Sequence, residues 1–170
     1  MESIKKIYFD MDGVLADFDR GVEELAGFEH LNQADTTEEQ DNAMWAAIAK
    51  VERFYDKLEL MPGAKEMFDT IYNQYGDKCE ILTGIPKPKR GIASAGEDKI
   101  SWVRRLLSKD IKINIVFKEE KPQYCTGEDC ILIDDLKGNI DAWRKMGGTG
   151  ILHENSELTL CHIGKLTEEQ

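Results

Sequence analysis

The sequence lacks the features that mark membrane, disulfide-bonded and nucleic-acid-binding proteins. No apolar run approaches the roughly 20 residues that a helix needs to cross a bilayer. The four cysteines form no C-x-x-C pair, which favours reduced thiols over a zinc site or a disulfide framework. The net charge of −11 argues against a nucleic acid polymer as partner, because phosphate backbones attract basic surface. We therefore expect neither a membrane nor a nucleic acid partner.

The first residues also lack a long apolar region. Lys5 and Lys6 lead directly into a predicted strand, so we expect no signal peptide and a cytoplasmic location. A length of 170 residues suits one α/β domain with a small insertion and leaves no room for a second large domain. Hydrophobic residues at 41% and charged residues at 32% are typical of a globular protein.

Five short apolar segments predict strands, and helical patterns lie between them. The predicted strands span residues 4–9, 79–82, 113–117, 130–133 and 149–152. This alternation predicts an α/β fold, a Rossmann-like parallel five-stranded sheet with helices on both faces. The polar tail from Glu154 is either loosely ordered or packed on a neighbouring strand.

About forty residues separate the first strand from its covering helix, far more than the usual two to six residues of such a connection. We expect residues 17–61 to form a small α-helical cap, with helices near 22–25 and 43–51 joined by a polar stretch at 32–42. The catalytic core then comprises residues 1–16 and 62–170. Most aromatic residues of the cap are expected to pack within it, and a minority to stack on a substrate ring. The candidates are Phe18, Trp45, Phe54 and Tyr55.

Two acidic residues follow the first predicted strand. Asp10 and Asp12 stand two positions apart, and Gly13 comes next, as in a strand that ends in a turn. Ligands of doubly wound α/β proteins bind outside the carboxyl ends of the strands, where these acids would lie. An ordinary solvated turn uses the same residue types, so this stretch alone supports both interpretations equally.

Three later strands also end in polar residues. Thr83 and Gly84 follow the second strand, Lys118 and Lys121 come after the third, and Asp134 and Asp135 end the fourth. In a parallel sheet these strand ends converge on one crevice. Clustered carboxylates repel each other unless a cation neutralises them, and Mg²⁺ prefers oxygen ligands. Thr83 and Lys121 are suited to bind phosphate oxygens there.

The charges are unevenly distributed along the chain. Residues 17–60 carry twelve acidic against four basic residues, whereas residues 84–125 carry ten basic against five acidic ones. A basic half that faces an acidic catalytic edge suits a small phosphate ester as substrate. Lys87, Lys89 and Arg90, in the loop after the second strand, either attract anionic substrates or form a solvated basic loop.

The order of these motifs resembles a known superfamily. The run Asp10-x-Asp12-Gly13-Val14-Leu15, then Thr83, a lysine and the Asp134-Asp135 pair resemble the four-motif signature of the haloacid dehalogenase (HAD) superfamily of phosphatases. Within that superfamily, residues 10–18, 58–63, 96–103 and 132–135 are similar to the cytosolic and mitochondrial 5′(3′)-deoxyribonucleotidases. The resemblance implies a Mg²⁺-dependent phosphomonoester hydrolase that acts on deoxyribonucleoside monophosphates. A HAD phosphatase for another small metabolite, such as a sugar phosphate, is the alternative, and a non-enzymatic phospho-receiver domain is a remote one.

The resemblance also implies catalytic and metal-binding roles. Asp10 would be the nucleophile that forms an aspartyl-phosphate, and Asp12 would act as general acid and then as general base. Mg²⁺ would bind to Asp10, to the backbone carbonyl of Asp12 and to the pair Asp134 and Asp135, with Asp134 preferred as the direct ligand.

The substrate contacts follow from the same resemblance. The phosphate would be bound by Thr83, Gly84, Lys99 and Lys121, although Lys99 equally fits a solvated lysine at a helix start. Gly84 stands where these relatives usually carry serine, so one hydroxyl contact to phosphate is missing. Phe18 stands at the matching place for an aromatic contact to the base. The expected partner is a small phosphate ester, and the oligomeric state, including a homodimer, is left open.

Overall fold

The computed structural model describes residues 3–29 and 35–168. The strands are β1 (Lys6–Phe9), β2 (Cys79–Gly84), β3 (Lys112–Val116), β4 (Cys130–Asp134) and β5 (Thr149–Leu152). The helices are α1 (Phe18–Glu24), α2 (Glu38–Ala49), α3 (Ala64–Tyr75), α4 (Ala95–Leu106), α5 (Lys137–Lys145) and α6 (Ser156–Glu168). The strands form one parallel sheet in the order β3-β2-β1-β4-β5. The five predicted strands are confirmed.

Alternate residues of the central strands face two separate hydrophobic cores. Ile7 and Phe9 of β1 belong to the core to which α3, α4 and α6 contribute. Tyr8 between them belongs to the second core, where α5 contributes Ile140 and Trp143. Successive side chains of a strand point to opposite faces, so strands covered on both faces read as continuous apolar runs. The predicted α/β fold with helices on both faces of the sheet is confirmed.

Residues 17–61 lie between β1 and α3. They contain α1, α2 and a short 3-10 helix at Phe54–Lys57. Both α-helices begin earlier than predicted, because Asp17 and Thr37 cap them with side-chain oxygens. Part of the polar stretch predicted to join the two helices, residues 30–34, lies outside the described residues.

The two ends of this insertion lie side by side. The backbone N–H of Asp17 donates to the carbonyl of Glu59 at 2.8 Å, and that of Met61 donates to the carbonyl of Leu15 at 2.8 Å. The insertion therefore leaves the core and rejoins it at one place, beside the carboxyl end of β1.

The polar tail is ordered as helix α6. Thr159 and Ile163, four residues apart, are buried, and the helix packs against α3 and β5. At its start the Ser156 hydroxyl donates to the carbonyl of Pro62 at 3.1 Å. Within residues 3–29 and 35–168, no helix is long and apolar enough to cross a membrane.

A substitution at Gly148, which borders the second core, tests how tightly that core is packed, and a substitution at Gly164 is the control. A Cβ on Gly148 would collide with the indole of Trp143 and the sulfur of Cys125, and the indole is fixed by its hydrogen bond to the Cys130 carbonyl at 3.1 Å. We expect Gly148→Ala to lower the free energy of unfolding by about 2 kcal/mol. Gly164 in α6 faces open space, so Gly164→Ala should raise that energy by up to about 1 kcal/mol. Urea denaturation followed by tryptophan fluorescence measures the free energy of unfolding of both variants. Equal changes in the two variants would contradict the proposed clash at Gly148.

Candidate active site

The register of the sheet brings the predicted acids together. The backbone N–H of Asp10 donates to the carbonyl of Ile133 at 2.9 Å, so Asp10 stands beside Asp134 on the neighbouring strand. Asp10, Asp134 and Asp135 each offer a carboxylate oxygen, and these three oxygens lie within 4.8 Å of one another. The strands β1 and β4 are neighbours in the sheet but distant in sequence, which is the switch point where doubly wound proteins bind ligands.

Lys121 lies between two of these carboxylates. Its ammonium donates to Oδ1 of Asp10 at 2.8 Å and to Oδ2 of Asp134 at 2.9 Å. Burial alone would lower the pKa of Lys121, but the charges of Asp10 and Asp134 outweigh burial and raise this pKa above its ordinary value. Lys121 is therefore charged at neutral pH and neutralises part of the cluster.

The two adjacent acids at the end of β4 have different surroundings. Asp134 is fully buried, and both of its oxygens accept hydrogen bonds from the protein. Oδ2 accepts from Lys121 and from the side-chain amide of Asn139 at 3.0 Å, while Oδ1 accepts from the backbone N–H of Leu136 at 2.9 Å. Asp135 is less buried and lines the cavity described below.

The environment of Asp135 disfavours its charged form. Burial, together with the neighbouring carboxylates of Asp10 and Asp134, raises the pKa of Asp135 to about 8. Gly13 has a φ of 81°, and a Cβ there would collide with the Asp135 carboxylate. Glycine at this position therefore lets the carboxylate approach the turn after β1. Oxygen donors with excess negative charge fit a hard divalent cation such as Mg²⁺.

A second buried lysine contacts the other acid of the first motif. Lys99 donates to Oδ2 of Asp12 at 2.9 Å, to the hydroxyl of Thr83 at 2.9 Å and to the carbonyl of Gly84 at 2.7 Å. Its side chain is fully buried, which rules out the solvated-lysine alternative. Oδ1 of Asp12 is buried and has no hydrogen-bond partner among the described residues. Asp12 is thus held by one oxygen, and its other oxygen makes no hydrogen bond with the described residues.

A cavity of about 290 Å³ opens between the acid cluster and the insertion. Of the predicted site residues, those that line it are Asp10, Asp12, Phe18, Trp45, Tyr55, Gly84, Lys121 and Asp135. The acids and Lys121 come from the strand ends, and the three aromatic residues come from the insertion. The cavity therefore has an ionic part and an aromatic part.

Four predicted residues lie behind this lining. Asp134, Thr83 and Lys99 are fully buried and act on the residues in front of them through hydrogen bonds. Phe54 is also buried, with ring centroids 5.8 Å from Phe18 and 5.2 Å from Tyr55. Phe54 is thus a packing residue of the insertion and does not line the cavity, although its neighbour in the same 3-10 helix does.

The aromatic residues connect the cavity to the buried lysine. The ammonium of Lys99 lies 4.6 Å from the ring centroid of Tyr55. Burial, and to a lesser extent the charge of Asp12, raises the pKa of Tyr55 well above 10, so its hydroxyl stays protonated. Phe18 packs between Tyr55 and Trp45, at centroid distances of 6.3 and 5.9 Å.

Lys118, one of the two lysines that follow the third predicted strand, also lines the cavity. Two further polar residues of the lining were not predicted from the sequence: Asn139 lies in the first turn of the helix after β4, and Asp19 follows Phe18. An asparagine in the helix that follows the predicted acids Asp134 and Asp135 is the signal that would have found Asn139. In the basic loop after β2, Lys87 is paired with Glu119 at 3.0 Å and is not a free basic group.

The sequence matches one family model along almost its whole length. The model describes a 5′ nucleotidase, deoxy (pyrimidine), cytosolic type C protein (NT5C), and it matches residues 2–165. The chain belongs to this family. It is a phosphatase of the 5′-nucleotidase type, as its resemblance to the nucleotidases in four stretches of sequence implied. No curated protein matches the chain.

Solved structures of HAD-superfamily proteins share its fold. A HAD-superfamily hydrolase from Ehrlichia chaffeensis has a TM-score of 0.56 and 14% identity over 98% of this chain and 99% of the other. A hydrolase from Pseudomonas syringae has a TM-score of 0.53 and 18% identity over 86% of this chain and 82% of the other. The HAD-hydrolase YfnB from Bacillus subtilis, solved bound to magnesium, has a TM-score of 0.53 and 14% identity over 88% and 86%. At these identities the likeness confirms the HAD-like fold.

The raised pKa of Asp135 predicts how stability depends on pH when divalent ions are removed. Between the ordinary aspartate pKa of about 4 and the folded-state value of about 8, the folded protein binds one more proton than the unfolded chain at this position. The free energy of unfolding should therefore fall as pH rises through this window, by up to about 1.4 kcal/mol per pH unit. Urea denaturation with chelator at pH 5, 6.5 and 8 measures this slope.

Asp135→Asn is the matched variant for this slope. It removes the titrating group, so the same pH series should become flatter in the variant. A slope that Asp135→Asn leaves unchanged would show that another group is responsible.

Proposed function

We propose that this phosphatase hydrolyses deoxyribonucleoside monophosphates, with Mg²⁺ and through an aspartyl-phosphate on Asp10. The observation that carries the proposal is the two-part cavity. Its ionic part suits a phosphate, and its aromatic part suits a planar base. Residues 17–61 act in this proposal as the cap that supplies the aromatic part.

The residues that would hold Mg²⁺ are the side chains of Asp10 and Asp135 and the backbone carbonyl of Asp12. Asp135 is favoured over Asp134 as the direct ligand, because the oxygens of Asp134 already accept bonds from Lys121, Asn139 and a backbone amide. Asp134 instead fixes Lys121 beside the nucleophile. When bound, the cation would offset the repulsion between the carboxylates and the incoming phosphate.

The phosphate would lie against Gly84 and Lys121, both of which line the cavity. The ammonium of Lys121, 2.8 Å from Oδ1 of Asp10, can bind a phosphoryl oxygen while it orients the nucleophile. Thr83 and Lys99 support this surface from behind, since the Lys99 ammonium binds the Thr83 hydroxyl and the Gly84 carbonyl.

In the first half-reaction the carboxylate of Asp10 attacks phosphorus. A bond forms between an Asp10 oxygen and phosphorus, and the bond from phosphorus to the nucleoside oxygen breaks. Asp12 donates its proton to the departing oxygen, so the nucleoside leaves as a neutral alcohol. Oδ1 of Asp12 is the atom assigned to this transfer, because Lys99 holds the other oxygen.

In the second half-reaction Asp12, now ionised, takes a proton from water as the water attacks phosphorus. The bond between phosphorus and Asp10 breaks, which releases inorganic phosphate and restores the free carboxylate of Asp10. One residue thus serves as acid and then as base, and the hydrogen bond from Lys99 keeps it in place for both steps.

The nucleophile assignment is tested by Asp10→Asn, which removes the attacking carboxylate and one charge from a crowded cluster. We expect phosphate release from deoxyribonucleoside monophosphates to fall by about a thousandfold or more. The variant also loses one charged partner of Lys121, so circular dichroism should accompany the assay to show that the protein is still folded. Asp69→Asn, in an exposed ion pair with Lys65, is the matched control and should keep full activity. Chelator should abolish turnover by the unsubstituted enzyme, and added Mg²⁺ should restore it.

The substrate panel should also contain ribonucleoside monophosphates and several sugar phosphates. Preference for deoxyribonucleotides supports the proposal in full. Preference for sugar phosphates, with the same dependence on Asp10 and Mg²⁺, would keep the mechanism and overturn the substrate. Full activity of Asp10→Asn would overturn the mechanism itself.

The metal-ligand assignment predicts different defects at the two adjacent acids. Asp135→Asn should raise the Mg²⁺ concentration needed for half-maximal activity by about tenfold or more while the protein stays stable. Asp134→Asn should instead lower the free energy of unfolding by about 3 kcal/mol, because it removes a partner of the buried Lys121. Activity titrated with Mg²⁺, alongside urea denaturation, separates the two. Reversed phenotypes would assign the metal to Asp134.

A further inference from the structure

Arg90 joins the loop after β2 to helix α2 of the insertion. It ends a short 3-10 helix, Pro88–Arg90, and its guanidinium donates to Oδ1 of Asn42 at 2.6 Å and to Oδ2 of Asp41 at 3.0 Å. The Arg90 side chain is 18% exposed and that of Asp41 is 43% exposed, so only the guanidinium side of this pair is shielded from water.

The same guanidinium contacts an aromatic residue of the cavity. Its central carbon lies 5.9 Å from the ring centroid of Trp45. Trp45 is one helical turn after Asp41, so both face the same side of α2 and one planar group can reach both. Arg90 does not line the cavity, whereas Trp45 does.

Few side chains of this helix are buried. Ile48 is its one buried residue, and the 3-10 helix that contains Arg90 is among the elements it contacts most. Trp45 in turn packs against Phe18 at a centroid distance of 5.9 Å. The position of the Trp45 ring at the cavity therefore depends strongly on the contact between α2 and the 3-10 helix that contains Arg90.

We infer that Arg90 is a positioning residue for substrate selection, which holds Trp45 where a base would stack. This inference rests on the proposed function, because it takes the substrate to carry a planar base. The two terminal nitrogens of a guanidinium can bind Asp41 and Asn42 while its plane still lies over the indole. A lysine has the same charge but only one nitrogen, so Arg90→Lys should hold Trp45 less firmly than arginine does.

The first test needs no substrate. Trp102 and Trp143 are fully buried and Trp45 is partly exposed, so acrylamide quenching of tryptophan fluorescence reports chiefly on Trp45. Arg90→Ala should raise the quenching constant about twofold, as the helix loosens. Arg105→Ala is the matched control, because Arg105 also joins the insertion to the core, through Asp56, but lies outside the cavity lining. Unchanged quenching in Arg90→Ala would overturn the inference.

The second test is kinetic and uses a deoxyribonucleoside monophosphate beside glycerol phosphate, which has no ring to stack. Arg90→Ala should raise KM for the nucleotide about tenfold, with kcat within about twofold, and leave KM for glycerol phosphate unchanged. Trp45→Ala should raise KM for the nucleotide by a similar factor, and the double variant should be no worse than Trp45→Ala alone. Asp41→Ala, which removes one partner only, provides a milder variant if Arg90→Ala folds poorly.

The outcomes separate this inference from the proposed function. Equal rises in KM for both substrates, or additive effects of the two substitutions, would show that Arg90 attracts the phosphate directly, and the inference would fail. If the unsubstituted enzyme does not hydrolyse nucleotides, the proposed function fails, while the quenching result still decides whether Arg90 positions Trp45.

Discussion

The crowding of four carboxylates at the carboxyl ends of β1 and β4 is the constraint on which the rest of this site depends. Asp10, Asp12, Asp134 and Asp135 would repel one another, and the protein counters them with two buried lysines placed on opposite sides. Lys121 joins Asp10 to Asp134, whereas Lys99 holds Asp12. Burial raises the pKa of Asp135, and the neighbouring carboxylates raise it further, because two positive charges do not balance four negative ones. The same imbalance makes the cluster suitable for a divalent cation.

The buried lysines also give the acids different numbers of hydrogen-bond donors, and therefore different roles. An acid whose oxygens are all occupied by protein donors, as in Asp134, can hold a neighbour but has little capacity left for a ligand. An acid held by one oxygen, as in Asp12, can still exchange a proton through the other. Residue type alone therefore does not fix the role of an aspartate, since the number of donors around each carboxylate differs.

Sequence patterns predicted the sheet and the acids because both depend on local signals. Apolar runs mark strands buried on two faces, and the strand ends carry the polar residues. The burial of Lys99 was not predictable, since its partners Asp12 and Thr83 are 87 and 16 residues away in sequence. Phe54 and Tyr55 are adjacent aromatic residues, and only the 3-10 backbone decides which one faces the cavity. Helix α6 was missed because it buries small and polar side chains, such as Ser156 and Thr159.

The paired ends of the insertion make its length easy to change during evolution. The hydrogen bonds from Asp17 to Glu59 and from Met61 to Leu15 close the segment at its base, beside the carboxyl end of β1, so added residues would not separate the two ends. Lengthening a closed segment costs little entropy, about 0.6 kcal/mol for each doubling. A descendant of this chain can therefore acquire a longer insertion while β1 and the residues that follow it keep their place in the sheet.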